Sequence, residues 1–241
     1  MSYMTFEQLY KRQDKVLKKV FDKEGDIFDG ARVILAGGTA LARCYLQHRV
    51  SFDLDFFVNA KFDPVVIQRR LSSAGILLRM VEVVNNPMYV VQLHGMIDVD
   101  GEPLRVSIVE DIYADMFPFK TVDKIRTEAI EGLYHRKLRT ITGSGEGAAS
   151  STGRTTHEGA RQTARDLFDL YVLSSEIMPL MKFVREVNRH GAGVPEALLI
   201  SGFRNIRWKE LMDEFDMLQK ADRYKGIKVY DVKRYFDGVL R

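Results

Sequence analysis

Two short motifs, Gly37-Gly38-Thr39 and Asp53-Leu54-Asp55, stand close together in the first quarter of the chain. At a strand-to-helix turn, a Gly-Gly pair lets the backbone approach a ligand with no Cβ in the way. The helix that follows aims free N–H groups and its positive dipole end at the same spot, which suits a phosphate. Thr39 adds a hydroxyl donor or caps the helix. Residues i and i+2 of a strand face the same way, so Asp53 and Asp55 project together. Paired carboxylates among apolar neighbours are costly unless a cation neutralises them, and oxygen-only ligands suit Mg²⁺. Taken singly, the first motif reads as a tight turn and the second as a solvated strand end. Together they form the layout that nucleotidyl transfer needs, with a turn for the triphosphate and carboxylates for two metal ions. The turn is not a Walker A loop, because the GxxxxGK[ST] spacing is absent.

The elements that must position these residues are legible in outline. MSYMTFEQLYKRQDKVLKKV reads as an amphipathic helix with Phe6, Leu9, Tyr10, Leu17 and Val20 along one side. ARVILAG is a short buried strand ended by the glycines, TALARCYLQH a helix and DLDFFV a strand. Pro64 opens a helix that Gly75 closes. ILLRMVEVV, MYVVQLHGMI and PLRVSIVEDI are β-rich runs separated by turn residues, which predicts a meander of antiparallel hairpins. Beyond Phe119 helical patterns dominate. Strands followed by helices predict an α+β fold, with a mixed sheet and flanking helices over residues 1–119 and a C-terminal helical domain over 120–241. Residues 143–159, GSGEGAASSTGRTTHEG, hold no Val, Ile or Leu and read as a flexible loop.

Composition bounds the function. The chain has 241 residues, 46% hydrophobic and 29% charged, ordinary for one large or two small globular domains. No apolar run is long enough to cross a bilayer, and the first residues lack a signal peptide's apolar stretch. The single Cys44 excludes an internal disulfide and suits a reducing compartment, so a cytoplasmic location with no membrane partner is expected. Residues 1–119 hold 14 Lys and Arg against 16 Asp and Glu, whereas residues 120–241 hold 22 against 17. That basic excess fits either solvated helix faces or attraction to a phosphate backbone.

The stretch GGTALARCYLQHRVSFDLDFF resembles the leading motif of the AbiEii-type nucleotidyltransferases, a family within the DNA polymerase β-like superfamily that includes toxins of type IV toxin–antitoxin systems. It supplies Gly37, Gly38, Thr39, Ala40, Leu41, Arg49, Ser51, Asp53 and Asp55 in the order of that pattern. Downstream, HRKLRTI offers Lys137, and ARDLFDLYVL offers Arg165, Asp166, Asp169 and Tyr171 for the family's Lys helix and its R-D-x-x-D-L-Y helix. The resemblance implies a polymerase β-like nucleotidyltransferase that moves NMP from an NTP to an acceptor hydroxyl. It implies Mg²⁺, two ions, with Mn²⁺ as an alternative, on Asp53 and Asp55. Gly37, Gly38 and Thr39 would cradle the triphosphate, and Lys137 would neutralise phosphate charge. Asp166 would orient that Lys or act as a base. Arg49 would bind phosphate or anchor the Asp-bearing strand, and Ser51 would bond a metal ligand or lie near the γ-phosphate. RNA, with a tRNA 3′ end leading, is the implied acceptor, and a cognate antitoxin the implied partner. A small molecule or protein side chain as acceptor, or an inactive nucleotide-binding module, are the alternatives.

One expected part is absent. Polymerase β-like enzymes usually take a third carboxylate from a later strand, where this chain has Ser107; Glu110, Asp98 and Asp100 are the candidate substitutes. His48, His94 and His135 lack metal-cluster spacing, so zinc is not expected, and Cys44 reads as a core residue.

Overall fold

The computed structural model describes residues 6–87, 89–142, 163–191 and 193–240. The expected flexible loop at 143–159 lies outside the described residues. Helix α1 (Phe6–Asp22) and the short α2 (Glu24–Phe28) lead into β1 (Val33–Ala36), all four of whose residues are buried. Helix α3 (Gly37–Ala40) starts directly at the strand's end and continues as a π-helical turn over Leu41–Leu46. Strand β2 (Leu54–Val58) precedes α4 (Pro64–Ser73), whose Pro64 and Asp63 cap follow ordinary N-terminal chemistry: Asp63 accepts from the Val65 and Val66 N–H groups.

The expected meander follows as β3 (Arg79–Val84), β4 (Gln92–Val99) and β5 (Glu102–Glu110), paired antiparallel in sequence. A further hairpin, β6 (Phe119–Val122) and β7 (Ile125–Glu128), stands at the start of the region where helical patterns dominate, and no strand was expected there. Its strands are only four residues each, and Asp123 and Lys124 make its turn at φ 48° and 66° with no glycine to signal it. The seven strands form one mixed sheet in the order β3-β4-β5-β2-β1-β7-β6. β2 runs antiparallel to β1 and parallel to β5, and β7 runs parallel to β1.

Alternation along β2 sorts its two faces. Leu54, Phe56 and Val58 are buried, and Phe21 of α1 meets Phe56 edge-on at 6.0 Å. Phe57 faces the other way, where Arg136 of α5 (Ile130–Thr142) lies 4.6 Å above its ring. The chain continues through α6 (Ala164–Val172), prolonged by a π-helical turn over Leu173–Ile177, then α7 (Leu180–Arg189), α8 (Glu196–Arg204), α9 (Met212–Asp216) and α10 (Val229–Val239). One apolar cluster joins the sheet to these helices, from Val16 through Leu35 and Phe56 to Phe168, Phe215 and Phe236. Trp208 and Tyr235 pack against it.

The C-terminal segment also holds the approach to β2. The Val50 N–H donates to the Gln219 carbonyl at 2.9 Å and the Ala221 N–H to the His48 carbonyl at 2.8 Å. Arg223 donates to the Leu46 carbonyl at 2.7 Å. The segment between helix and Asp strand is therefore fixed from both ends of the chain, since Gln13 of α1 donates to the Ser51 carbonyl at 2.9 Å. No helix among the described residues is long and apolar enough to cross a membrane.

Candidate active site

The Gly-Gly turn and the Asp strand touch. Gly37 has φ +68°, and a Cβ there would sit 2.5 Å from Asp55 Oδ2. A Cβ on Gly38 would sit 2.4 Å from an Arg49 guanidinium nitrogen and 3.1 Å from Ser51 Oγ. Both positions need glycine because a carboxylate and a guanidinium lie directly against the turn. The Thr39 side chain is buried and points inward; its hydroxyl lies 2.9 Å from Ser51 Oγ and against the Asp53 carbonyl. Thr39 and Ser51 thus tie the turn to the strand, leaving the turn's backbone as its ligand-facing part.

A second cluster forms where α5 meets α6. Thr163 caps α6, accepting from the Asp166 N–H, and its hydroxyl donates to Asp166 Oδ2 at 2.7 Å. Lys137 Nζ bridges both acids of α6, at 2.6 Å from Asp166 Oδ1 and 2.7 Å from Asp169 Oδ2. Arg49 grips Asp169 bidentately at 2.6 and 2.8 Å, and His48 Nε2 lies 2.7 Å from the same carboxylate. Asp166 and Asp169 are fully buried. The i, i+3 spacing that placed them on one helix face therefore serves an internal network, not surface ion pairs. The Arg49 guanidinium thus lies between the Asp169 carboxylate and the Gly38 turn.

Besides Arg49, which touches both clusters, one exposed arginine links them. Arg165, next to Asp166 in α6, places its NH1 at 3.2 Å from Asp53 Oδ2. Gly37, Gly38, Thr39, Arg49, Ser51, Asp53, Asp55, Lys137 and Asp166 thus form one connected constellation. Asp169, His48 and Arg165 join this constellation; Arg165 and Asp169 stand in the R-D-x-x-D-L-Y motif without an expected role, and His48 is in no motif. Asp169 carried a signal in its i+3 relation to Asp166. His48 carried none, being a lone histidine beside an arginine.

Their electrostatics differ in sign. Burial, then the neighbouring Asp53 charge, pushes the Asp55 carboxyl above the usual range, against weaker pulls from Lys137, the Ser107 hydroxyl and Arg165. Burial acts the same way on Asp169, but Arg49, Lys137 and His48 overcome it and hold that carboxyl well below the usual range. Burial also lowers the His48 imidazole, against its hydrogen bond to Asp169.

A row of facing residues crosses the sheet at the level of Asp55. Glu82, His94, Ser107, Asp55 and Ala36 are successive register partners on β3, β4, β5, β2 and β1. Ser107 stands at the third-carboxylate place and hydrogen-bonds Asp55. None of the candidate substitutes reaches it. Glu110 lies on the opposite face of β5 and accepts from the Val91 N–H at 3.0 Å. Asp98 accepts from Gly101 in the β4–β5 turn, and Asp100 pairs with Lys15 at 2.6 Å. Among the described residues no three His, Cys, Asp or Glu side chains gather as a metal centre. The chemistry of the donor set still fits Mg²⁺. Asp53 and Asp55 give hard oxygen ligands on one face, Asp55 has no cation in direct contact among the described residues, and substrate phosphates commonly complete such a shell.

Comparison with known proteins places the chain in a family and its fold among known structures. The family model for the nucleotidyl transferase AbiEii toxin of type IV toxin–antitoxin systems matches residues 21–233. The fold is similar to that of MenT4, a nucleotidyltransferase toxin from Mycobacterium tuberculosis H37Rv, with TM-score 0.55 and 19% identity over 96% of this chain and 82% of that one. It is also similar to a candidate nucleotidyltransferase from H. pylori, with TM-score 0.50 and 20% identity over 95% of this chain and 93% of that one. A search of curated proteins finds no match. The match over residues 21–233 embraces both the glycine–aspartate motif and the Lys137–Asp169 network, and the chain belongs to the AbiEii nucleotidyltransferase toxin family.

Proposed function

We propose that the protein transfers NMP from an NTP to a hydroxyl of RNA, with a tRNA 3′ end as the leading acceptor, in a reaction that depends on Mg²⁺. The observation that carries this reading is Asp55: a half-buried carboxylate pressed against Gly37, with no cation in direct contact among the described residues and with a second acid, Asp53, just before the same strand. Such an arrangement is unfavourable by itself and becomes favourable when a cation and its phosphate ligands complete it.

Asp53 and Asp55 would hold the metal; when bound, it stabilises charge on the α-phosphate and on the departing pyrophosphate. The backbone of Gly37 and Gly38 receives the triphosphate, with Thr39 and Ser51 holding that turn to β2. Lys137, anchored between Asp166 and Asp169, adds fixed positive charge whose influence reaches Asp55. The acceptor oxygen bonds to the α-phosphorus, the bond from that phosphorus to the bridging oxygen breaks, pyrophosphate leaves and the hydroxyl proton is released. Asp166, with one oxygen on Lys137 and the other on Thr163, orients the lysine. RNA as acceptor draws support from the basic excess of residues 120–241. Family membership brings with it the expectation of a cognate antitoxin.

Each α-phosphate-labelled NTP, incubated with Mg²⁺ and total bacterial RNA, should label tRNA-sized RNA with the wild type and not with Asp55→Ala. Label transferred equally well by Asp55→Ala would sink the proposal. Acceptor affinity should fall steeply with salt; near indifference would point to a small neutral acceptor.

A further inference from the structure

Among the cations of the site, Arg165 stands apart. The side chains of Arg49 and Lys137 are 4% and 9% exposed, whereas that of Arg165 is 43% exposed. Arg49 grips its carboxylate with two nitrogens at 2.6 and 2.8 Å; Arg165 reaches Asp53 with one, at 3.2 Å. Among the described residues Asp53 is its only ion-pair partner, and the Asp53 side chain is itself 28% exposed. The best cation for one pair of carboxylates is thus held loosely, at the rim, on an oxygen that the proposed metal site requires.

A divalent ion shared by Asp53 and Asp55 must compete with Arg165 for Asp53. It brings twice the charge to two carboxylates at once, where the guanidinium makes a single contact with one, so the exchange favours the ion. Once displaced, the arginine stays tethered at the start of α6, beside the position where a triphosphate would lie. Phosphate is a partner that a guanidinium can grip through two parallel hydrogen bonds, which Asp53 does not offer it here.

We propose that Arg165 holds the Asp53 side of the metal position until a divalent cation arrives and then passes to the nucleotide's phosphates, so that metal and nucleotide bind cooperatively. The inference rests on the proposed metal site at Asp53 and Asp55. It makes Arg165 a nucleotide-binding residue that weakens the binding of metal alone. Because the arginine competes with the metal for Asp53 but would hold the nucleotide's phosphates, removing it must act in opposite directions on the two.

The test measures Mn²⁺ binding from the electron paramagnetic resonance signal of free Mn²⁺. It uses the full chain, without nucleotide and then with each α,β-methylene NTP analogue in turn. Arg165→Ala should bind Mn²⁺ alone about two- to fivefold more tightly, the scale of a solvent-accessible ion pair removed. The same variant should bind the Mn²⁺–analogue pair roughly tenfold or more weakly, the scale of lost charged hydrogen bonds. Arg165→Lys, which keeps a charge but not the fork, should bind Mn²⁺ alone as the wild type does and recover only part of the analogue affinity. Mn²⁺ affinity unchanged or weakened in Arg165→Ala overturns the inference, as does analogue binding left intact. An Asp55→Ala control separates the two levels. If it binds Mn²⁺ as the wild type does, or if neither binds, the metal site fails and the Arg165 inference with it. If it alone loses Mn²⁺, the site stands and the Arg165 result is decisive.

Discussion

The protein carries two pairs of aspartates, Asp53 with Asp55 and Asp166 with Asp169, and surrounds them in opposite ways. The pair on α6 has a cation for each acid: Lys137 lies on both, Arg49 is added on Asp169, and His48 gives Asp169 a further hydrogen bond. The strand pair has one loose arginine on Asp53 and a serine hydroxyl on Asp55. Asp169 is fully buried and Asp55 half-buried, yet it is the Asp55 carboxyl that is pushed above the usual range and the Asp169 carboxyl that is held below it. A saturated acid pair serves as architecture, clamping α5, α6 and the segment before β2 together. An undersaturated pair is a vacancy for charge, which is what a site for metal and phosphate needs.

The largest expected effect follows from removing that vacancy. Asp55→Asn should lower NMP transfer at least about a thousandfold, while the folded protein loses little stability, because a neutral amide removes the repulsion from Asp53. Label transfer and thermal melting of the same preparation check both halves. A variant that is inactive only because it unfolds would break the comparison.

Asp169→Asn should do the reverse. It leaves Arg49 and Lys137 buried with fewer counter-charges, a loss of about 3–5 kcal/mol, or a Tm lower by roughly 6–20 °C for a chain of this size. Differential scanning calorimetry reads this directly. A melting temperature equal to that of the wild type would show that the α6 network is not the clamp described here. Gly37→Ala should fall between the two. It places a Cβ in a left-handed backbone position and within 2.5 Å of Asp55 Oδ2, so it should cost about 1–3 kcal/mol and lower transfer as well. Chemical denaturation measures the first and the transfer assay the second.

The unequal surroundings of the two pairs also explain what sequence reading recovers. The glycines and Asp53-x-Asp55 announce themselves because turn and strand chemistry is local: a strained φ, and a two-residue alternation that puts both acids on one face. The meander was equally legible from its apolar runs and turn residues. The β6–β7 hairpin was not, because Asp123 and Lys124 take left-handed conformations usually marked by Gly or Asn, and its strands carry Lys120, Arg126 and Glu128 where apolar residues would have flagged them. The Asp169 hub was hidden for another reason. Its partners His48, Arg49 and Lys137 come from three places in the chain, and only packing tells a buried acid from a solvated one.

The finest test adds to the strand pair what the superfamily usually supplies. Ser107 is the register partner of Asp55 on β5 and already hydrogen-bonds it, so Ser107→Asp brings a third carboxylate into the same row. With no metal, like charges then crowd a buried strand face, and burial by itself already raises the Asp55 carboxyl. A group raised in this way contributes stability that is fully present below its ordinary value of 3.8 and is lost as pH rises through its folded value. The substitution should therefore deepen the loss of stability on going from acid towards neutral pH. Asp169, shifted the other way, contributes stability that is present above 3.8 and lost as pH falls through its folded value, and that acid limb should be unchanged. Divalent cation should reverse the effect, since three carboxylates attract it more strongly than two, raising Mn²⁺ affinity by up to about tenfold. Melting curves across pH, with and without Mn²⁺, resolve the two limbs. A Ser107→Asp protein whose Mn²⁺ affinity does not rise would mean that the row across the sheet does not face the metal position.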